Sequence, residues 1–428
     1  KLNIRGGIKM AKKDISNRFT QIIEDKVAPK LIAFSENKYI ASIRDGLMAT
    51  IPFTIIGGVF LIITSFPIPA WQKMITPYAN MFNVVVFYTY NIIALIASLT
   101  IAYNLAKNFN IDRINSALFS MIGFLMLSLP DEKFTSIPIG FLGGSGLFGA
   151  IVISIITVEV LKFFYNKKII IKLPNNVPQN VADTFTALIP GFALVSLIWL
   201  IRVILKFDFN TWILNIFKPL VIAGDSLIAA IMINLFNKIL WYVGIHGGAV
   251  IGAVTTPFLM MYATENAKAV QAGAKILPYI TSSMFYDNIA LWGNNMILPL
   301  LLIFACKNKG LKSLGKLALP ISFFNIGEPV LFGLPVILNP FFLVPWLINS
   351  IIPTSIAWIT LKLNLVTRPF ISVPWTTPPI IGGFLSTGGD ARAIVLTAII
   401  FFVQLLIFYP FVKSFDNYTN KKESDKSL

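Results

Sequence analysis

Between Lys316 and Lys362 the chain has one ionisable side chain, Glu328, in a run as apolar as a membrane span. A carboxylate in hydrocarbon costs several kcal/mol, so Glu328 is expected to face a polar cavity. Gly327, Pro329, Gly333 and Pro335 surround it. Proline removes a backbone donor and glycine loosens φ, so a helix is not expected to run cleanly through. Broken backbone at membrane depth is tolerated where it lines a cavity, which places Glu328 at the tip of a re-entrant segment facing a polar ligand.

The rest of the chain agrees with a membrane setting. Of 428 residues only 13% are charged, against about 25% in soluble domains. Several charge-free stretches approach the roughly 20 residues needed to cross a bilayer. The fold class is an all-α polytopic membrane protein. The net charge of +16 sits in short loops and tails, as the positive-inside rule expects, and does not argue for nucleic acid. One cysteine excludes an internal disulfide framework and a Cys-rich metal site.

Residues 1–40 read as a basic tail and an amphipathic helix over 10–40, with Ile15, Phe19, Ile22, Ile23, Val27 and Leu31 on its apolar face. Residues 41–205 form an amino-terminal scaffold and dimerisation half, with spans near 46–66, 82–105, 114–130, 138–161 and 184–203. Arg44 and Asp45 read as a local ion pair ahead of the first span. Basic loops at 106–113 and 162–183 alternate with poorer ones, which puts the amino terminus in the cytoplasm. Gly143, Gly144 and Gly146 allow close backbone approach; no lysine follows them as a phosphate loop would require. Residues 206–225 read as an amphipathic connector. Residues 226–415 form the substrate-binding half, interrupted by Gly, Pro and Asn, with helices near 226–262, 275–291, 294–306, 341–361 and 391–413. The loop from Lys307 to Lys316 and the tail 416–428 are expected in the cytoplasm. Interrupted apolar segments mark where a transporter binds its substrate.

Four places in this half carry polar chemistry. His246, the only histidine, stands in Gly244-Ile245-His246-Gly247-Gly248. It reads either as a cavity imidazole that bonds a hydroxyl or phosphoryl oxygen, or as a structural residue between helices; the flanking glycines favour the cavity. Glu328 has Asn325 and Asn339 nearby. Asp287, Asn288, Trp292, Asn294 and Asn295 put amides, a carboxylate and an indole in another break, suited to a sugar or to an interfacial helix end. Trp375, Thr376 and Thr377 lie in a proline-bounded loop from Pro374 to Pro379, where the indole could stack on a sugar or sit at the interface. Cys306, at a span end beside Lys307, reads as inert. No nucleotide fingerprint, nucleophilic triad, cofactor motif or metal cluster is evident. Transport energy would therefore come from an ion gradient or a phosphorylated partner.

Asn325-Ile326-Gly327-Glu328-Pro329-Val330-Leu331-Phe332-Gly333, then Pro335, Asn339 and Pro340, resembles the signature of membrane subunits of the bacterial sugar phosphotransferase system. Val373-Pro374-Trp375-Thr376-Thr377-Pro378-Pro379 narrows the resemblance to the lactose, cellobiose and diacetylchitobiose enzyme IIC family. Ile43-Arg44-Asp45-Gly46, with Pro52 and Gly57, and Gly244-Ile245-His246-Gly247 fit too. The resemblance covers the chain after about Met10. It implies a homodimer in the bacterial cell membrane, both termini cytoplasmic, with roughly ten spans per subunit and re-entrant hairpins around the sugar. It implies translocation of a disaccharide coupled to phosphorylation of its 6-hydroxyl. The phosphoryl group would come from a cysteine on a separate enzyme IIB, charged by enzyme IIA and the carrier protein HPr. Carried over by motif, Glu328 bonds the 6-hydroxyl and acts on its proton, and His246 steadies the transferred group. Asn294, Asn295, Asn325, Trp375 and Thr376 complete the sugar site. The competing expectation is a proton-coupled secondary sugar transporter in which Glu328 and His246 relay protons.

Overall fold

The computed structural model describes residues 28–66, 68–129, 139–174, 185–291, 294–334, 336–337, 339–378 and 381–426. The first half comprises α1 (Ala28–Ser35), α2 (Lys38–Met48), α3 (Ile51–Ser65), α4 (Pro69–Ile75), α5 (Ala79–Tyr90), α6 (Ile93–Phe109), α7 (Arg113–Leu127), α8 (Leu147–Asn166) and α9 (Leu188–Trp199). The connector is α10 (Phe209–Gly224). The second half comprises α11 (Leu227–Tyr242), α12 (Gly247–Gln271), α13 (Asn294–Phe304), α14 (Lys309–Ser322), the short α15 (Glu328–Gly333), α16 (Pro340–Lys362), α17 (Ile381–Ser386) and the long α18 (Ala391–Lys426). Local signals start many of them. Asp112, Asp208, Ser226 and Asn308 each accept a backbone N–H from the third residue onward, and so satisfy a donor that the first helical turn leaves free.

Among the described residues, seven helical stretches are long and apolar enough to cross a membrane, or eight if the pair Leu188–Ile204 and Phe209–Gly224, bent by 86°, is one span. Arg113–Leu127 and Leu227–Tyr242 are shorter apolar helices. Large apolar side chains point outward, among them Phe192 at 74%, Ile228 at 74% and Phe304 at 79% exposure. A surface this apolar needs lipid or another apolar partner around it.

The helices pack around several cores. In the first half, Leu47, Ile93, Ala97, Ile101, Phe124, Leu147 and Ile153 meet, and the connector adds Phe209 and Ile213. Small residues bring α6, α7 and α8 close: the hydroxyls of Ser120 and Ser154 both donate to the Ser98 carbonyl, at 2.8 and 2.9 Å. The Gly143–Gly146 cluster acts as expected. A Cβ on Gly146 would lie 1.7 Å from the Phe141 carbonyl oxygen, so only glycine fits there. The second half has its own cores, one around Ile297, Leu302, Leu334, Phe342, Trp346 and Phe408, another around Phe285, Ile289, Leu361 and Ile400. Leu61, Val86 and Tyr90 of the first half meet Ala267, Met284, Phe370 and Ile371 of the second.

Several expected boundaries move. The helix expected over 226–262 breaks into α11 and α12 at Val243–His246, where Gly244 has a φ of 82°. The helix expected from 275 starts only at Ser283 and runs as a π-helical turn over Phe285–Ala290. The cause is distant in sequence. Asp225, at the end of α10, accepts the Ile280 N–H, the Thr281 N–H and the Thr281 hydroxyl, holding 280–281 out of the helix; its own carbonyl takes the Trp358 indole N–H. The expected Lys307–Lys316 loop is mostly helix α14, with Leu311, Gly315, Ala318 and Ser322 buried along one face. The last helix does not stop at 413 but continues to Lys426, tied back through Asp416, which accepts the Lys307 and Asn308 N–H groups at 2.9 Å each. Arg44 and Asp45 pair at 2.8 Å inside α2 rather than ahead of it. The amphipathic face before residue 28, the 131–137 loop and residues 175–183 lie outside the described residues.

Asp225→Ala leaves two backbone donors unpaired at the start of the 280s. A loss of about 1–3 kcal/mol is expected, read as a lower melting temperature of the detergent-solubilised protein. Asp45→Ala, which breaks one exposed pair, is expected to cost less than about 1 kcal/mol. Equal, small shifts for both would remove the anchoring role of Asp225.

Candidate functional site

A cavity of about 300 Å³ opens in the second half, and its lining runs from Asn237 to Trp375. That volume is at the small end of ligand sites, which span roughly 300–1,000 Å³. Its walls form where backbone regularity fails or where one helix turns a polar stripe inward.

Helix α11 supplies the stripe. Asn237, Lys238 and Trp241 share a face through i, i+3 and i, i+4 spacing and line the cavity. Lys238 is 9% exposed and has no carboxylate within ion-pair distance among the described residues; its ammonium sits 5.5 Å from the centre of the Trp346 ring. A cation over an indole gains about 0.5–2 kcal/mol, while burying an ion costs several kcal/mol. The ring alone does not compensate this lysine.

At the α11–α12 break, His246 caps α12. Its Nδ1 accepts the Ala249 N–H at 3.0 Å. An accepting Nδ1 carries no proton, so Nε2 is the ring's donor. Trp241 lies beside the imidazole, with ring centres 4.5 Å apart. The π-helical turn contributes Tyr286 and Asp287 to the lining. Such turns add a residue to a helix and are frequent at functional sites.

The last wall joins three loops. Asn294 begins α13 and accepts the Asn349 amide at 2.8 Å. Asn295 donates to the Asn325 carbonyl, and the Asn325 amide donates to the Trp375 carbonyl at 2.9 Å. Asn325 holds a left-handed φ of 63°, a conformation asparagine adopts more readily than most residues. Gly327 packs closely here: a Cβ there would lie 2.6 Å from Asn295 Oδ1 and would push that side chain aside. Glu328 follows as the first residue of α15 and also lines the cavity, accepting no hydrogen bond among the described residues. Asn237 Oδ1 and the Tyr286 hydroxyl are likewise buried without a partner. Buried polar atoms are normally paired, so these point to water or a polar ligand.

The structure thus brings His246, Asn294, Asn295, Asn325, Glu328 and Trp375 to one cavity. Thr376 stands beside Trp375 in the chain but is not among the lining residues, and neither is Cys306, which is buried at the end of α13. Trp292 lies outside the described residues. Asn237, Lys238, Trp241, Tyr286 and Trp346 also line it and were not singled out in the sequence. Lys238 had a signal, a lone cation within the apolar run Leu227–Tyr242. Among the described residues no group of three His, Cys, Asp or Glu side chains could hold a metal. Trp241, Trp346 and Trp375 offer apolar faces, while the amides and carboxylates offer donors and acceptors. A carbohydrate has this combination of ring face and hydroxyl edge.

Comparison with known proteins agrees. The family model described as Phosphotransferase system, EIIC, matches residues 44–350. The lichenan permease IIC component of Bacillus subtilis (strain 168) is 33% identical over 96% of this chain and 97% of its own length. The cellobiose-specific EIIC component of Geobacillus stearothermophilus is 32% identical over 94% and 95%. The lactose-specific EIICB component of Staphylococcus aureus (strain N315) is 29% identical over 94% of this chain and 74% of that protein. The crystal structure of the IIC component from the N,N'-diacetylchitobiose-specific phosphotransferase system superposes with a TM-score of 0.88 at 33% identity, covering 94% of this chain and 99% of that one. The fold and the cavity define a multi-pass membrane transporter. The chain belongs to the EIIC family of the phosphotransferase system and is a sugar permease of the cell membrane. EIIC components are the membrane part of a system that phosphorylates its sugar, and they act with an EIIB unit, joined to EIIC in the lactose-specific relative.

Gly327→Ala is expected to push the Asn295 amide off the Asn325 carbonyl. The melting temperature should change little. Sugar affinity should fall about 3- to 10-fold, the worth of one misplaced hydrogen bond. Titration of the purified protein with sugar measures it, and an unchanged affinity would show that Asn295 does not depend on the glycine.

Proposed function

We propose that this permease binds a β-linked disaccharide of the cellobiose, diacetylchitobiose or lactose type in the cavity and presents its 6-hydroxyl for phosphorylation by phospho-enzyme IIB. The observation that carries the reading is Glu328: a carboxylate without a hydrogen-bond partner among the described residues, sharing a cavity with His246. The named sugars of the relatives support the substrate class.

In the reaction, the sugar 6-oxygen bonds to phosphorus as the phosphorus–sulfur bond to the enzyme IIB cysteine breaks and the sulfur leaves as thiolate. Glu328 accepts the hydroxyl proton as general base. His246 Nε2 donates to a phosphoryl oxygen, and the α12 amino end, which His246 caps, adds positive potential. Asn294, Asn295 and Asn325 hold sugar hydroxyls, with Trp375 against a ring face. Thr376 acts through the turn that positions Trp375.

The first half, 41–205, serves as scaffold and dimer contact. The connector 206–225 links it to the transport half, 226–415, which carries the sugar across as a unit. Enzyme IIB docks on the exposed lysines of α14, Lys309 and Lys316, beside Lys307, on the cytoplasmic side. Enzyme IIA and HPr supply the phosphoryl group upstream, and both termini face the cytoplasm.

Glu328→Gln is expected to keep at least part of the sugar affinity and to abolish formation of sugar 6-phosphate, measured with membrane vesicles and phosphorylated enzyme IIB. General bases contribute about 10²- to 10⁴-fold. Normal phosphorylation by the variant would remove the proposed base. Uptake of unmodified sugar driven by a proton gradient alone would establish the secondary-transporter mechanism instead.

A further inference from the structure

We propose that the Lys238 ammonium binds the phosphoryl group in this cavity, so that Lys238 is a further catalytic residue of the transfer. The inference rests on the phosphorylation reading above. It starts from a placement that a neutral sugar does not explain. Lys238 is 9% exposed, lines the cavity, and has the Trp346 ring as its one polar-group contact among the described residues. An ammonium has three donors and no acceptor, so at this depth it needs oxygen acceptors. Asp287 and Glu328 line the same cavity, yet neither lies within ion-pair distance of it. The opposite charges are held apart around the space and do not neutralise one another.

Under that reading the neutral hydroxyls fall to Asn294, Asn295 and Asn325, which line the cavity. The phosphoryl group is different. A phosphomonoester carries about −1.5 to −2 at neutral pH, and here it must enter a lining with two carboxylates. As the 6-oxygen bonds to phosphorus and the thiolate departs, the hydroxyl proton passes to Glu328, which removes one of those charges. The transferred oxygens still need a cation. Lysine is a common phosphate binder because it is a compact charge on a flexible stem. His246 Nε2 contributes a directed donor and Lys238 the charge. Helix α11 also explains why the lysine is kept: Asn234, one turn earlier, bonds the Thr354 hydroxyl at 2.7 Å and fixes the helix against α16.

The test uses the purified full-length protein with cellobiose and cellobiose 6-phosphate as probes, and Lys238→Met, Lys238→Gln and Lys238→Arg as variants. Lys238→Met is expected to weaken 6-phosphate binding about 10- to 100-fold, the effect of one charge-assisted bond. Cellobiose affinity should stay within threefold, and arginine should restore most of the loss. Single-turnover phosphorylation by phospho-enzyme IIB should fall about 10²- to 10³-fold. Lys238→Gln, which keeps a donor and removes the charge, should follow Met. An unchanged ratio of 6-phosphate to cellobiose affinity overturns the proposal, as does an equal loss for both ligands, which would mark a packing residue. A variant that binds 6-phosphate normally but loses an acidic disaccharide such as cellobiouronic acid would reassign Lys238 to a substrate carboxylate. Failure of the wild type to bind any neutral disaccharide would instead sink the permease-site reading.

Discussion

Polar groups in an apolar slab have few places to go, and the second half of this molecule is arranged by that scarcity. Inside hydrocarbon each unpaired backbone group costs several kcal/mol. The chain nevertheless breaks its helices at Val243–His246, at 275–282, at Leu291 and around Gly327. Side chains take up much of what the breaks release. His246 accepts a freed amide of α12, Asp225 accepts two from 280–281, and Asn295 and Asn325 link three loops in series. His246, Asn294 and Gly327, from three of these places, line one polar cavity.

That arrangement also divides labour between the halves. The first half is built on small residues and near-continuous helices, where Ser98, Ser120 and Ser154 satisfy each other within a tight three-helix contact. A hollow in that half, between Phe60, Met74, Tyr78 and Phe82, is almost wholly apolar. The cavity with polar lining draws on residues 237 to 375 alone. Discontinuous helices such as those of the second half suit both a substrate site and points where the backbone can bend.

Much of the site was legible because its residues are costly anywhere else. An acid at 328, a histidine at 246 between glycines, and amides at 294, 295 and 325 stand out from apolar surroundings, and all line the cavity. Features whose cause is non-local were not legible. The apolar run from 275 reads as helix, and the Asp225 carboxylate, more than fifty residues earlier in sequence than Ile280, accounts for its non-helical start. Helix α14 hid behind its lysines, although Leu311, Gly315, Ala318 and Ser322 carry the helical period. Thr376 shares the motif of Trp375 but turns elsewhere, since a two-residue turn points successive side chains apart. Lys238 was less legible because it sits in an unbroken helix, with no Gly or Pro beside it to mark a polar break.

The contrast between Glu328 and Lys238 shows two ways of keeping a charge at membrane depth. Glu328 is placed by irregular backbone: it opens a six-residue helix behind a glycine whose missing Cβ leaves room for Asn295. Its position therefore depends on the loop that Asn295 and Asn325 tie together. Lys238 is placed by a regular helix locked at Asn234 against α16, and Trp346 packs under its ammonium. Its position depends on rigid elements and changes little if the loops move. Under the proposed reaction, an acid carried by irregular backbone and a cation carried by a regular helix suit a site that must first admit a neutral sugar and then hold a charged group on it. Electrostatic stabilisation works best from groups that need no reorganisation at the moment of reaction, whereas a proton acceptor must reach whichever hydroxyl the bound sugar presents.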